Sequence, residues 1–253
     1  QRQMCIRDSV GTNMNKEKLL YENSKHALQS DNIIAITNRH LCSRPFMEQL
    51  ERVCKLHPHA IVLREKDMPE AEYLSLARDV IALCKKYDVQ CMLHSFINVA
   101  MELEHPYIHL PLPILEAYVK KNVSGNISTG MSKSTDNYQQ FFKVIGTSVH
   151  SVEDAIKAEQ LGATYMTAGH IFATDCKKGL PPRGLDFLKN VCDAVGIPVY
   201  AIGGINIASN DDSTASDAPS ASDAMPDISV PRLADVMECG AAGGCIMSGM
   251  MRV

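Results

Sequence analysis

The chain has no excess of either charge, since 25 basic and 29 acidic residues are well mixed and leave a net charge of −4. That excludes the electrostatic footprint of a protein built for nucleic acid or an anionic membrane and leaves a small molecule as the expected partner. It also lacks paired cysteines. The nine present stand singly, Cys84, Cys91, Cys192 and Cys245 among them inside apolar runs, which argues against a disulfide framework and for reduced core thiols. No apolar run approaches the roughly 18 residues that cross a bilayer, and the N-terminus has no signal-peptide core. A cytoplasmic protein is therefore expected. What is abundant is hydrophobic side chain, 45% of 253 residues, enough for one sizeable core.

Residues 1–30 show no element pattern and are set aside as a leader outside the core, with Met14 reading as a natural start. From Ile33 onward, runs rich in Val, Ile and Tyr alternate with longer segments of helical period, the pattern of repeated βα units. Strands are expected at 33–38, 60–65, 90–95, 107–111, 143–150, 164–172, 198–204 and 243–248. Helices are expected near 45–56, 69–87, 97–104, 113–120, 151–162, 184–195 and 231–239. This order predicts an α/β fold, a TIM (β/α)₈ barrel over 31–253, with no eighth helix encoded after the last strand. That ending suggests a truncated chain whose first and last units keep uncovered apolar flanks. Two polar stretches, 121–140 and a low-complexity tract at about 208–230, read as loop insertions.

In such barrels chemistry belongs at the C-terminal ends of the strands. Strands 7 and 8 end in Gly203-Gly204 and Ser248-Gly249, small-residue turns whose N–H groups can cradle a phosphate, although tight turns also use glycine for conformation alone. Strand 2 ends in Arg64-Glu65-Lys66-Asp67, which places the alternate cations Arg64 and Lys66 on one side of an extended chain, suited to an anion or simply to solvent. His150, at the end of strand 5, can exchange a proton near neutral pH, or can cap or pack where the next helix begins. His170 reads as structural, and Lys177 and Lys178 as loop cations able to close over an anion. His94 and His109 end strands 3 and 4 without metal-ligand spacing, and His57 and His59 precede strand 2, at the wrong end for catalysis.

Taken in order, LREKD at 63–67, SVHSVEDAIKAEQLGA at 148–163, GHIFATDCKKGL at 169–180, AIGGI at 201–205 and CIMSGM at 245–250 resemble the thiamine phosphate synthase/TenI family, most closely its thiazole tautomerase (TenI) branch. The synthase branch carries Gln-x-Arg-x-Lys after strand 2, Asn-Asp after strand 3 and an Asp following strand 4. Here Val62 stands for the Gln, His94-Ser95 for the Asn-Asp pair, and Pro111-Leu112-Pro113 for the run containing the last Asp. Both carboxylates expected to hold Mg²⁺ are missing, and Mg²⁺ requires hard oxygen ligands.

The resemblance thus implies an isomerase of thiamine biosynthesis that aromatises a carboxythiazole phosphate by proton transfer, with His150 as the acid/base. Gly203, Gly204, Ser248 and Gly249 would hold the phosphate, and Arg64, Lys66 and Lys177 other anionic groups. No cofactor or metal is expected. One alternative is a transferase, thiamine phosphate synthase, which would need Mg²⁺; another is a non-catalytic barrel that binds a phosphorylated ligand or regulates a partner. The expected partner is a thiazole phosphate, with neither nucleic acid nor membrane, in a chain free to form a homo-oligomer.

Overall fold

The computed structural model describes residues 32–127, 141–174, 177–207 and 230–253. The strands are β1 (Ile33–Ile36), β2 (Ala60–Leu63), β3 (Gln90–His94), β4 (Tyr107–Pro111), β5 (Val144–Val149), β6 (Tyr165–Gly169), β7 (Val199–Ile202) and β8 (Gly243–Ile246). They close in chain order into a parallel barrel, with β8 pairing back to β1 through Ile34 opposite Cys245. Each expected strand is present. Most stop two or three residues earlier than the apolar runs suggest, because the last residues of those runs already turn outward at the mouth.

Between the strands lie α1 (Phe46–Lys55), α2 (Glu70–Lys86), α3 (Ile97–Glu102), α4 (Leu112–Ile127), α5 (Val152–Gln160), α6 (Gly184–Ala194) and α7 (Leu233–Glu238). One expectation needs correction: the first part of the polar stretch 121–140 is helix, since α4 runs on to Ile127. Leu115 and Val119 bury one face of α4, and a helix so anchored gains a hydrogen bond per added residue, outweighing the polar composition of its last turns. Residues 128–140, 175–176, the tract 208–229 and the leader lie outside the described residues.

The period-2 alternation of the strands sorts side chains into two layers. Ile33, Ala35, Ile61, Leu63, Cys91, Leu93, Ile108 and Leu110 face the helices in the larger apolar cluster. Ile34, Ile36, Val62, Met92, Tyr165, Tyr200 and Cys245 fill the barrel itself. Among the described residues no helix follows β8, yet its flank is not bare: Met250 and Met251 are buried, and Gln49 of α1 donates its amide to the Met250 carbonyl at 2.7 Å. A buried Met contributes about 1.5–3 kcal/mol, so this short turn covers part of the surface that a helix would.

Candidate functional site

Strand register assembles the floor of the mouth. His94 lies opposite His109, His109 opposite Gly146, and Gly146 opposite Tyr165. A Cβ at Gly146 would meet the Tyr165 ring at 2.1 Å, so the glycine vacates the space through which that ring reaches across. The Tyr165 hydroxyl lies 2.8 Å from His109 Nδ1, and His109 Nε2 is 2.9 Å from Ser148 Oγ, which accepts from Thr167 Oγ1 at 3.0 Å. His94 stacks on His109 with centroids 5.7 Å apart, and its Nδ1 pairs with Ser95 Oγ at 2.7 Å. Burial drives the pKa of both imidazoles down, helped for His94 by the charges of His109, Arg64 and Lys66 and for His109 by that of Arg64. Both rings are neutral near pH 7 and act as a rigid polar platform.

Above this floor stands the strand-2 ending. Glu65 is buried and bonded to Thr37 of the β1 ending, while Arg64 is half-buried and Lys66 is exposed where the chain turns. Burial lowers the Lys66 pKa, and the charges of Arg64 and Lys177 lower it further. Lys66 thus feels the charge of Arg64 from its own segment and of Lys177 from the β6 loop.

His150 follows β5 and is exposed. Its Nδ1 lies 2.8 Å from the Gly169 carbonyl oxygen. A carbonyl only accepts, so Nδ1 carries a hydrogen and Nε2 is the nitrogen left to exchange a proton. The cap of α5 is Ser151, whose Oγ accepts from the Asp154 N–H at 3.0 Å; His150 is thus not the capping residue.

Gly203 and Gly204 have φ of 100° and 70°. Cβ atoms there would fall 2.4 Å from His170 Cβ and 2.5 Å from the Ala173 oxygen. Packing against the β6 loop is therefore sufficient reason for both glycines, and only the backbone N–H groups speak for a phosphate. At the end of β8, the Met251 N–H donates to the Met247 carbonyl at 3.1 Å, and the amides of Ser248, Gly249 and Met250 donate to no turn or loop acceptor among the described residues. The first turn of a helix has this form, with N–H groups open to an anion. Gly249 lies against the loop after β7, where a Cβ would be 3.2 Å from the Ile207 nitrogen, so the two expected phosphate loops adjoin. His170 has its Nε2 3.4 Å from the Leu180 oxygen, in keeping with a structural role.

A family model described as thiamine monophosphate synthase (TMP-TENI) matches residues 33–222. The chain belongs to this family. The putative thiamine-phosphate synthase 2 of Aquifex aeolicus is 35% identical over 173 residues, 68% of this chain and 84% of its own length. The thiamine-phosphate synthase of Caldanaerobacter subterraneus subsp. tengcongensis is 30% identical over 175 residues, 69% of this chain and 75% of its own. The thiamine phosphate pyrophosphorylase structure from Pyrococcus furiosus superposes with a TM-score of 0.61 at 24% identity over 89% of each chain, a likeness of fold. These relatives place the chain among enzymes of thiamine biosynthesis, and their names answer to the synthase alternative rather than to the tautomerase expectation.

Mg²⁺, which that alternative requires, does not fit the described residues. The ends of β3 and β4 offer imidazoles engaged with Ser95, Tyr165 and Ser148, and the Glu65 and Asp67 carboxylates are bound to Thr37, Arg39 and His40. Among the described residues no three His, Cys, Asp or Glu are grouped to hold a metal ion, and no helix is long and apolar enough to cross a membrane.

Sequence reasoning gave little weight to His94 and His109 and missed Tyr165, Ser148 and Thr167. The available signal was Gly146, a small residue inside an apolar strand, which marks close approach by a neighbour.

Proposed function

We propose that this member of the family is a thiazole tautomerase-like enzyme acting on a phosphorylated carboxythiazole. The observation that carries the reading is His150 at the mouth, held at Nδ1 by the Gly169 carbonyl so that Nε2 is its base. Nε2 takes a proton from one position of the heterocycle and returns one to another; no atom is gained or lost and the ring becomes aromatic. Lys66, Arg64 and Lys177 face the carboxylate, the Ser248–Gly249 turn and the Gly203–Gly204 loop receive the phosphate, and the neutral His94 and His109 form the floor. No step needs a metal.

The second reading is thiamine phosphate synthase, favoured by the names of the relatives and by the charges of Arg64 and Lys177 acting on Lys66, a set of cations that suits a pyrophosphate. Turnover of the carboxythiazole phosphate with and without chelator separates the two. Chelator-resistant aromatisation supports the tautomerase; Mg²⁺-dependent formation of thiamine phosphate without aromatisation would replace it with the synthase. Binding without either reaction would leave the non-catalytic barrel.

A further inference from the structure

Arg64 and Lys66 share a strand ending with two carboxylates, Glu65 and Asp67, an arrangement that would ordinarily pair acid with base and leave little charge for a ligand. The structure shows where those acids go instead. Thr37 Oγ1 donates to Glu65 Oε1 at 2.7 Å and accepts the Arg64 N–H at 2.9 Å. Arg39, in the 3₁₀ turn after β1, gives its backbone N–H to both Glu65 oxygens at 3.2 Å and its Nη1 to Glu65 at 3.0 Å. The same guanidinium forks onto Asp67 at 2.8 and 2.6 Å, and His40 Nε2 reaches Asp67 at 2.9 Å. The chain turns here, the Met68 N–H donating to the Glu65 carbonyl at 3.3 Å, so the bonds to residues 65 and 67 hold this turn against β1 and set the place of Arg64 and Lys66 within it.

We propose that Arg39 is a positioning residue for the anion-binding pair Arg64 and Lys66: by holding Glu65 and Asp67 it aims the two cations across the mouth and prevents the carboxylates from claiming them or repelling the substrate. This rests on the anion-binding reading of Arg64 and Lys66. The groups in play are Arg39, His40, Glu65 and Asp67 on one side and Arg64, Lys66 and Lys177 on the other. Hydrogen bonds between Arg39 and Asp67 hold the Asp67 carboxyl well below the usual carboxylate range, the sign of a charge already satisfied.

The test compares binding of inorganic pyrophosphate, by calorimetry, with the kcat and KM of turnover in Arg39→Met, Arg39→Lys, Arg39→Met/Asp67→Asn and the control Lys66→Met. Arg39→Met is expected to weaken pyrophosphate binding and raise KM by about tenfold with kcat within about twofold. Adding Asp67→Asn removes the stray acid and is expected to recover most of that loss, a rescue that a merely structural clamp would not show. Arg39→Lys keeps charge and fold but not the fork, and serves if Arg39→Met does not fold; a loss of about threefold is expected. Unchanged binding in the Arg39 variants beside a loss in Lys66→Met would overturn the positioning role. Unchanged binding in Lys66→Met as well would overturn the anion-binding reading beneath it, and neither result depends on which reaction the enzyme performs.

Discussion

At the ends of its strands the barrel presents Arg64, Lys66, His150 and the polar floor of His94, His109 and Tyr165; at their beginnings it presents Ile34, Met92, Val144, Pro198 and Tyr200. The second set, with His59 and Gln90, lines a recess of about 240 Å³ that has no Lys, Arg, Asp or Glu in its described wall. The same strands build both ends. On the proposed reading only the first carries cations and a base, so a recess alone would not mark the site of chemistry; the side chains at the strand ends would. Tyr165 joins the two ends, its ring lining the recess and its hydroxyl meeting His109.

The largest expected effect lies at the mouth. His150→Asn is expected to lower the aromatisation kcat by about two orders of magnitude or more with little change in KM, measured under steady-state conditions. Gly203→Val, which drives a branched side chain into His170 at positive φ, is expected to lower stability by about 2–4 kcal/mol in urea unfolding. Acidification comes next. His94 and His109 stay neutral in the fold with depressed pKa values, whereas in the unfolded chain they protonate below about 6.5. The unfolded state then binds more protons, so stability falls as pH drops below that value, by up to about 1.4 kcal/mol per pH unit for each ring. Denaturant midpoints between pH 7 and 5 check the slope, and His109→Gln should flatten it. At the opposite end, His59→Ala removes only an exposed ring stacked on Tyr200 and should leave kcat/KM within about twofold and stability within about 0.5 kcal/mol. A rate loss there comparable to that of His150→Asn would abolish the distinction between the two ends.

The barrel was legible because eight apolar runs at βα spacing admit few other closures, but alternation could not place Arg64 and Lys66, since β2 ends at Leu63 and Lys66 already lies in a turn. The sequence offered His150 as a candidate but not its geometry, since its partner, the Gly169 carbonyl, is a backbone atom on another strand and leaves no trace in residue identity. The same applies to the floor: Tyr165 and His109 are 56 positions apart, and only the register through Gly146 joins them. The helical extension of α4 was missed because a polar helical turn and a polar loop have the same composition. The glycines illustrate the converse, for their sequence pattern suggested phosphate while their identity is fully explained by the β6 loop pressing on them.

The measurement that bears most directly on the central claim is aromatisation of the carboxythiazole phosphate in deuterated water, with chelator present, by the wild-type chain and by His150→Asn. Turnover that resists chelator, incorporates solvent deuterium and is lost in the variant is the predicted result. Absence of aromatisation, with thiamine phosphate formed only when Mg²⁺ is supplied, would contradict it and assign the chain to the synthase activity after which its relatives are named.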